Sequence, residues 1–523
     1  MPTGTPQSRP YLLLTGATGL VGGMVLALLL RCNIPVAVLV RGTRRQSAAE
    51  RMESLLLRLE ERFSRTFVRP VVLSGDLCLP GLGLSEPDRR WIAANCASVI
   101  HSAANLLFRP ASTHPGNEPY RTNVDGTKRL LELTTEAGIR EWHYVSTAYI
   151  AGLRSDRILE NQSDMGQEFG NDYERSKTIS EQMLRQSKAI LSLTVYRPSI
   201  VIDLHPTTSM RSDQTINSAF AMFQALSQRF GLPDRGDWFR RLGFSGHERK
   251  NIVTVDWVAT MIAQVYRRPA LHNQTYHLTS PAGTAASELE DGFRAAVLDS
   301  GIKLPARRAE ATALIDEQAA PFVAAFKPYF RDDPIFDRAN TVQAMAVCGE
   351  ADLPTLSVDN LRDFCMRQTR PSGPPVNVKE AASPWSDFVR TRTSQSFPHV
   401  LQGSGSFPVM SLELYGPSGG QWLIEQSSKG PTVYAASASH SRLRVVSSST
   451  TFHGLIRGQL SIKAALNAGL VQLEIDDPVS AHLRTSSSSS ENWLTNQLTQ
   501  LISQVQQHPS SQPDFRSEVA NVG

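Results

Sequence analysis

Cysteine is scarce in this sequence, and it does not occur in a pattern that builds a metal site or a disulfide framework. The five cysteines include no Cys-x-x-Cys pair, and an odd number leaves at least one of them unpaired. Reduced thiols are typical of a cytoplasmic protein, which is what we expect this chain to be. The twelve histidines show no His-Glu-x-x-His spacing either, so the sequence predicts no metal.

Long apolar runs are also missing. Residues 24–30 are apolar but too few to span a bilayer, and no stretch of about 18 apolar residues occurs anywhere in the sequence. Residues 1–10 are polar and contain prolines, and Gly16 and Gly19 interrupt the apolar run that follows, which argues against a signal peptide. We therefore expect no integral membrane segment.

A strong excess of one charge is absent too. The 53 basic and 49 acidic residues leave a formal net charge of only +4 over 523 residues, which does not favour a nucleic acid as partner. An apolar fraction of 41% indicates an ordinary globular protein, and this length corresponds to roughly two to four domains. Nothing in the sequence indicates an oligomeric state.

Short apolar runs alternate with helical-period segments across residues 10–282. This alternation is typical of a parallel sheet covered by crossover helices, so we predict a Rossmann-type, doubly wound α/β domain. The predicted strands are residues 11–15, 36–40, 71–74, 98–101, 141–146 and 194–197. Residues 283–370 have a mostly helical pattern, and we expect them to form a cap on the substrate side.

The composition changes after residue 370. The Pro-Ser-Gly-Pro-Pro run that begins at Pro371 predicts a linker over residues 371–383. Residues 384–505 have the pattern of a small α+β domain, whereas the serine run 486–490 and the tail 506–523 are predicted to be disordered. The predicted strands of this domain are residues 411–415, 421–425, 442–446 and 471–475, and its predicted helices are residues 452–466 and 493–505.

The first predicted strand-to-helix turn carries a glycine motif that begins at Thr15 and ends at Gly22. Gly16 permits a tight turn, Gly19 lets the backbone approach a pyrophosphate, and Gly22 lets the helix pack closely on the strand. The amides and the dipole of the helix N-terminus then face the phosphates. The residues of this predicted dinucleotide site are Thr15, Gly16, Thr18, Gly19, Leu20, Val21 and Gly22.

The second predicted strand is followed by Arg41, at the point where an enzyme that uses NAD usually offers an acid to the ribose 2′-hydroxyl. An arginine can instead pair with a 2′-phosphate, and Arg44, Arg45 and Arg51 add positive charge close behind it. The alternative is a solvated basic loop. The sequence therefore favours NADP(H) as the cofactor.

Two other strand ends complete the predicted cofactor site. Asp76 and the adjacent Leu77 follow the third strand, where Asp76 is placed to contact the adenine. Ser102, Ala103 and Ala104 follow the fourth strand, and we expect this segment to pass the ribose and the pyrophosphate because its small side chains leave room for them.

The strongest catalytic signal is Tyr173 followed four residues later by Lys177, because this spacing places both side chains on one helix face. A nearby ammonium and the charge of an oxidised nicotinamide would lower the phenol pKa from about 10, so that Tyr173 can act as general acid for a carbonyl. Ser146 or Thr147, at the end of the fifth strand, can donate a hydroxyl to the same oxygen. Asn123 can support Lys177 through a water or a backbone carbonyl, or it can only cap a helix.

Together with the sequence Tyr-Arg-Pro-Ser-Ile at residues 196–200, these motifs resemble the extended short-chain dehydrogenase/reductase superfamily over residues 10–370. In that superfamily a catalytic hydroxyl commonly lies five residues before a glycine, which selects Thr147, five residues before Gly152, over Ser146. Residues 38–41 and 75–85 look most like the thioester reductase and fatty acyl-CoA reductase branch.

The resemblance implies both a site and an activity. The site residues that it implies are Arg41 and Arg51 on the 2′-phosphate, Thr147, Tyr173 and Lys177 in catalysis, and Pro198, Ser199 and Ile200 beside the nicotinamide. The activity that it implies is reduction of a lipid-like acyl thioester, held on coenzyme A or an acyl carrier protein, to an aldehyde or alcohol. Alternatives are an alcohol or steroid dehydrogenase with the same three catalytic side chains, and a lipid-binding protein that senses NADP(H).

The C-terminal domain has a resemblance of its own. Residues 452–458, 460–466 and 471–474 resemble sterol carrier protein-2-like lipid-binding domains. In those domains a sheet and helices enclose an apolar tunnel for fatty acyl or sterol ligands, which would suit an enzyme that handles long acyl chains. The alternative is a packing or dimerisation module that binds no ligand.

Overall fold

The computed structural model describes residues 9–107, 117–205, most of 215–305 and 329–369, and the strands and a few helical residues of the C-terminal region. The predicted linker, the serine run and the tail lie outside the described residues. The chain forms two compact units. The first comprises Met1–Ala48, Glu61–Phe63 and Val71–Gly373, and the second comprises Ala49–Glu60, Ser64–Pro70 and Pro374–Gly523.

A seven-stranded parallel sheet forms the centre of the first unit. The strands of this unit are β1 (Tyr11–Thr15), β2 (Val36–Val40), β3 (Val71–Ser74), β4 (Cys96–His101), β5 (Glu141–Val145), β6 (Ser192–Pro198), β7 (Ile200–Ile202), β8 (Arg249–Lys250), β9 (Ile252–Thr254), β10 (Thr275–Leu278) and β11 (Thr284–Ala285). The central sheet has the order β10-β6-β5-β4-β1-β2-β3, and all neighbouring strands in it are parallel. The predicted doubly wound Rossmann-type sheet is therefore confirmed.

The strand order reverses between β1 and β4. In open parallel sheets of this kind, ligands bind in the crevice outside the carboxyl ends of the strands at such a reversal. Both β1 and β2 are buried along their whole length, as expected for strands that are covered on both faces. In this fold a ligand site is therefore expected at the residues that follow β1, β4 and β5.

One strand of this sheet was not predicted. β10 pairs with β6 in parallel register, with Thr275 opposite Val195 and Leu278 opposite Pro198. Its four residues are buried, although they include a histidine and a threonine, so they do not form the continuous apolar run that marked the other strands. The prediction of six strands was therefore one strand short.

Helices cover both faces of the sheet and extend beyond it. The described helices are α1 (Leu20–Arg31), α2 (Ala48–Phe63), α3 (Glu86–Asn95), α4 (Gly126–Glu136), α5 (Asp172–Gln186), α6 (Thr215–Phe230), α7 (Val255–Tyr266), α8 (Ala286–Asp299), α9 (Ala339–Cys348) and α10 (Val358–Thr369). None of the helices in the described ranges is both long and apolar enough to cross a membrane.

A separate apolar core lies among helices α6, α8 and α10. Phe220 and Phe223 of α6 pack against Phe293 of α8, with ring centroids 5.3 and 5.8 Å apart. Leu361 and Phe364 of α10 are buried in the same cluster. The described parts of residues 283–370 are thus largely helical and share an apolar core with α6.

The second unit contains a six-stranded mixed sheet of order β12-β15-β14-β13-β16-β17. Its strands are β12 (Thr393–Ser394), β13 (Val409–Tyr415), β14 (Gly420–Ser427), β15 (Gly430–Ala435), β16 (Leu443–Ser448) and β17 (Val471–Ile475). Strands β12 and β15 were not predicted, and the two predicted helices lie mostly outside the described residues. The similarity to a sterol carrier protein-2-like domain stays a prediction.

A fully buried ion pair fastens α5 to β6 in the first unit. Arg197 donates from Nη2 to Glu181 Oε1 at 2.5 Å and from Nε to Glu181 Oε2 at 3.2 Å. Arg185 adds a bond to Oε1 at 2.9 Å. Burial alone would raise the pKa of Glu181, but the charge and hydrogen bonds of Arg197 lower it to about 2. The carboxylate is therefore ionised throughout the neutral range.

We predict that Glu181→Gln lowers the free energy of unfolding by about 3–5 kcal/mol at pH 7, because it leaves the buried Arg197 without its counter-charge. The folded pKa lies below the unfolded value of about 4.3, so this contribution is complete above about pH 5 and is lost as the pH falls towards 2. Urea unfolding at several pH values measures it. The exposed Glu132→Gln is the control, and a difference between the two variants that stays constant from pH 6 to pH 3 contradicts the prediction.

Candidate active site

The glycine motif forms a tight turn between β1 and α1. Gly16 has φ +76°, and the Gly19 amide donates to the Gly16 carbonyl at 2.9 Å. A Cβ on Gly16 would lie 2.5 Å from the Ala103 amide nitrogen, and a Cβ on Gly22 would lie 2.2 Å from the Gly16 oxygen. Glycine is therefore required at positions 16 and 22, on steric grounds alone.

The open side of this turn is the N-terminal end of α1. Gly19 is exposed there, and Thr18, Leu20 and Val21 are partly exposed. The N-cap residue of α1 is Gly19, which has no side chain to cap the first amides of the helix. These amides can therefore donate to a phosphate, as the sequence predicted for this loop.

The end of β4 approaches the same turn. The Ser102 amide donates to the Thr15 carbonyl at 3.2 Å, and the Ala103 amide lies 3.4 Å from the Thr15 hydroxyl. Ser102, Ala103 and Ala104 are partly exposed. The structure thus brings this segment against the glycine turn, at the reversal of strand order.

A chain of buried hydrogen bonds that the sequence did not reveal links this turn to the rest of the site. His101 Nδ1 lies 2.6 Å from the Thr15 hydroxyl, and His101 Nε2 lies 2.9 Å from the Thr127 hydroxyl. Thr127 donates to the Asn123 carbonyl at 2.5 Å, so it accepts from His101, which carries its proton on Nε2. Burial lowers the pKa of His101 to about 3, and the charge of Lys177 adds to this effect. The imidazole is therefore neutral.

Arg41 and Asp76 lie side by side after β2 and β3. Arg41 Nη1 is 3.6 Å from Asp76 Oδ2, and 64% of the Arg41 side chain is exposed. The other carboxylate oxygen of Asp76 accepts from the Cys78 amide at 2.9 Å, while Leu77 is buried. An exposed ion pair of this kind contributes little free energy, so Arg41 can turn towards a phosphate at small cost.

Arg51 lies on α2, in the second unit. Its role at the 2′-phosphate stays a prediction.

The predicted catalytic residues come together after β5. Thr147 opens a short 3-10 helix, Ala148–Ala151, which ends at Gly152 with φ +59°. A Cβ on Gly152 would lie 2.1 Å from the Glu168 carbonyl oxygen, so only glycine fits there. The glycine that singled out Thr147 in the sequence is therefore the residue that ends this turn.

Thr147 and Tyr173 share a hydrogen bond, and the Thr147 hydroxyl also lies 3.4 Å from the Pro198 carbonyl oxygen. Burial raises the pKa of Tyr173, and the hydrogen bond with Thr147 offsets this only in part. The structure thus has a raised pKa where the sequence predicted a lowered one, because burial outweighs the other influences on the phenol. Lowering by Lys177 together with an oxidised nicotinamide stays a prediction.

Lys177 lies one helical turn after Tyr173 and is fully buried. Its Nζ donates to the Val145 carbonyl at 2.7 Å and stands 4.1 Å from the centre of the Tyr144 ring. Burial lowers the pKa of Lys177 to about 7, and the charge of Glu181 opposes this effect. The side chain is therefore fixed at the end of β5, with a proton that it can release near neutral pH.

Asn123 is buried and serves as a junction. Its Nδ2 donates to the Ser176 hydroxyl at 2.9 Å, and its Oδ1 accepts from the Asn105 amide at 2.7 Å. Its carbonyl accepts from the Ser180 hydroxyl at 2.7 Å. Asn123 therefore fixes α5, the helix that carries Tyr173 and Lys177, and direct participation in catalysis stays a prediction.

Pro198 ends β6, Ile200 begins β7, and Ser199 lies between the two strands. The Ser199 amide donates to the Leu278 carbonyl at 3.3 Å, and the Ile200 amide donates to the Asn251 carbonyl at 3.2 Å. The Ser199 hydroxyl is buried and has no hydrogen-bond partner among the described residues. A polar atom of this kind is available to a ligand, which fits the predicted position beside the nicotinamide.

The segment from Tyr329 to Asp333 bonds to residues next to Thr147 and Tyr173, and the sequence did not name it among the site residues. Tyr149 donates to Asp333 at 2.8 Å, and Asn171 donates to the Tyr329 hydroxyl at 2.7 Å. Arg331 donates to the carbonyls of Gly152 and Leu153 at 2.8 and 2.7 Å. No local spacing in the sequence indicates these contacts, because they join residues more than a hundred positions apart.

We expect Gly22→Ala to weaken dinucleotide binding at least about tenfold, because the new methyl group would collide with the Gly16 carbonyl and displace the turn. Fluorescence titration with NADPH measures the affinity. Gly42→Ala is the control, since its Cβ would meet no atom closer than 3.6 Å. Equal affinity of the Gly22→Ala variant and the wild type would contradict the importance of this turn.

The chain is similar in sequence to known families and proteins. Residues 14–262 match the family described as male sterility protein. The chain is 28% identical over 222 residues to fatty acyl-CoA reductase wat of Drosophila melanogaster, which covers 36% of this chain and 42% of that protein. It is 28% identical over 308 residues to isonitrile lipopeptide synthase of Mycobacterium tuberculosis, which covers 54% of this chain and 12% of that protein. The chain thus spans less than half the length of these relatives.

Solved structures share the fold. The terminal R domain from the myxalamid PKS-NRPS biosynthetic pathway superimposes with a TM-score of 0.52 at 22% identity, over 69% of this chain and 90% of that one. The reductase domain of a nonribosomal peptide synthetase from Mycobacterium tuberculosis gives a TM-score of 0.50 at 19% identity, over 69% and 92%. Residues 14–262 therefore match the male sterility protein family, and the chain is related in sequence to fatty acyl-CoA reductases and to peptide and lipopeptide synthetases.

Proposed function

We propose that this chain uses NADPH to reduce a lipid-like acyl thioester, held on coenzyme A or on an acyl carrier protein, to an aldehyde or alcohol. The observation that carries the proposal is the convergence of Thr147, Tyr173 and Lys177 at the carboxyl end of β5. Only β4 separates this strand from β1 and its glycine turn. The matched family and the names of the relatives support reductase chemistry at such a site.

The glycine turn fits a dinucleotide pyrophosphate. No side chain can be accommodated at Gly16 or Gly22, and the uncapped amides of α1 remain open to phosphate oxygens. The unpartnered hydroxyl of Ser199 offers a further contact at the nicotinamide end. When bound, NADPH supplies the hydride that reduces the acyl carbon.

The side chains of this chain act on the carbonyl oxygen. The hydroxyls of Thr147 and Tyr173 hold that oxygen and stabilise the negative charge that develops on it as the carbonyl carbon gains a hydride. The carbon–sulfur bond then breaks, the acyl group becomes an aldehyde, and the leaving thiolate takes up a proton from solvent. Tyr173 can donate a proton to the oxygen if the aldehyde is reduced again to an alcohol.

Lys177 supplies a positive charge beside Tyr173 during these reaction steps. Its ammonium favours an ionised Tyr173 after the phenol has given up its proton, and Glu181 supports the ammonium through its own charge. The proposed partners are consistent with the relatives, which include fatty acyl-CoA reductases and a nonribosomal peptide synthetase from Aspergillus flavus. We propose that the chain works in the cytoplasm.

Tyr173→Phe should reduce turnover by a factor of about 10²–10⁴, because it removes the proton donor and one of the two hydroxyls on the carbonyl oxygen. The assay follows NADPH absorbance with a panel of acyl-CoA thioesters, aldehydes and hydroxysteroids while free thiol is trapped. Tyr11→Phe, at the opposite end of β1, is the control. Thiol release that matches NADPH loss supports the proposal.

Two results of this assay would count against it. Near-normal turnover by the Tyr173→Phe variant would remove the phenol from the mechanism. Oxidation of NADPH by aldehydes alone, or reduction of NADP by a steroid alcohol, would favour the dehydrogenase alternative.

Arg41→Ala should weaken NADPH about 10- to 100-fold and leave NADH almost unchanged, because a charge-assisted bond to the 2′-phosphate is worth about 1.5–3 kcal/mol. Titration of both nucleotides by fluorescence measures the two affinities. Arg31→Ala, at the far end of α1, controls for the loss of one positive charge. Equal losses for NADPH and NADH would show that Arg41 does not discriminate between them.

A further inference from the structure

Three potential metal ligands lie near the amino-terminal end of β5, away from the proposed catalytic residues. Glu141 is the first residue of β5, whereas Thr147 lies two residues after its last residue. His143 is two positions after Glu141 on the same strand, so both side chains lie on one face of the sheet. His272 ends a short 3-10 helix, Pro269–Leu271, shortly before β10 begins.

Two of the distances between these side chains fit a tetrahedral cation. His143 Nε2 lies 3.2 Å from Glu141 Oε1, and His272 Nδ1 lies 3.4 Å from the same oxygen. The ligand atoms that the three residues offer all lie within 4.8 Å of one another. Zinc bonds of about 2.0–2.1 Å at tetrahedral angles separate neighbouring ligand atoms by about 3.3–3.4 Å.

The hydrogen bonds of His272 orient its ring for coordination. Its Nε2 lies 3.2 Å from the Val265 carbonyl oxygen and 2.9 Å from the Tyr266 carbonyl oxygen. Carbonyl oxygens only accept, so Nε2 carries a hydrogen, and the Nδ1 side of the ring, which faces Glu141, is the side that a metal ion would use. Metal-bound histidines usually donate their other ring nitrogen to a carbonyl or carboxylate in this way.

His143 also has an outer partner. Its Nδ1 lies 3.0 Å from the Tyr196 hydroxyl, which can accept a hydrogen from this nitrogen. Nε2 then presents its lone pair towards Glu141 Oε1 and His272 Nδ1. His143 Nε2 and His272 Nδ1 thus both lie within 3.4 Å of the same Glu141 oxygen.

We propose that Glu141, His143 and His272 bind a divalent transition-metal ion, with Zn²⁺ as the best match to two imidazoles and one carboxylate. A water completes the coordination, since 39% of the Glu141 side chain is exposed and leaves one side of the cluster accessible. The ion ties the start of β5 to the segment that leads into the edge strand β10. No spacing in the sequence indicates this site, because His272 lies far along the chain from the other two ligands.

The site is tested with the full chain and Zn²⁺ alone. Protein that has been stripped with a chelator is equilibrated with Zn²⁺, passed over a desalting column and measured for bound metal, and its melting temperature is recorded with and without added Zn²⁺. We expect about one tightly bound zinc per chain and a rise in melting temperature that grows with free Zn²⁺. Glu141→Gln and His272→Ala should each weaken binding by at least about tenfold.

Two matched variants control for adventitious binding. Glu136→Gln removes a carboxylate, and His247→Ala removes an imidazole, in each case from an exposed position. Both should bind zinc as the wild type does. Glu141→Gln replaces an accessible side chain and should leave the fold intact. A cooperative melt verifies that this variant is folded.

Either of two outcomes overturns the proposal. Failure of the stripped wild type to take up zinc would leave a cluster held together by hydrogen bonds and a proton. Zinc binding by Glu141→Gln and His272→Ala as tight as that of the wild type would place the ion elsewhere. Because metal content and melting temperature are measured rather than turnover, neither outcome bears on the thioester reductase proposal.

Discussion

The candidate site depends on the buried hydrogen bonds that run from Thr15 through His101 and Thr127 to Asn123. Each of these groups has a partner, and the imidazole in the middle is neutral, so the chain carries no uncompensated charge. It joins the end of β1, where the glycine turn begins, to the junction that fixes α5. The glycine turn and helix α5 are thereby held in one geometry by buried interactions.

Helix α5 organises charge along its length. Tyr173, Lys177 and Glu181 follow one another at intervals of four residues, on successive turns of one face. The first is partly exposed at the site, the second is buried against β5, and the third is sealed into the ion pair with Arg197. The negative charge of Glu181 therefore stabilises the ammonium of Lys177, which would otherwise be costly to bury. Lys177 in turn lies one helical turn from the phenol of Tyr173.

Much of the first unit could be predicted from the sequence, because it follows from local patterns. Strands β1, β2 and β3 lie where their apolar runs placed them, and the positions of Gly16 and Gly22 follow from steric demands that any Rossmann turn makes. Strand β10 escaped prediction because its buried residues include polar ones that only tertiary hydrogen bonds can satisfy. The His101 chain and the Tyr329 segment escaped for a related reason, since their partners are distant in sequence and no periodicity encodes them.

The bonds from Arg331 to the carbonyls of Gly152 and Leu153, and the bond from Tyr149 to Asp333, have a consequence for the evolution of this fold. They hold residues 331–333 against the turn that follows Thr147. A recombination event that replaced residues after 329 with those of a relative, but kept residues 147–153, would remove the partners of the Tyr149 hydroxyl and of the Gly152 and Leu153 carbonyls. The two stretches must therefore be inherited together, and a grafted cap would need to bring its own version of this turn.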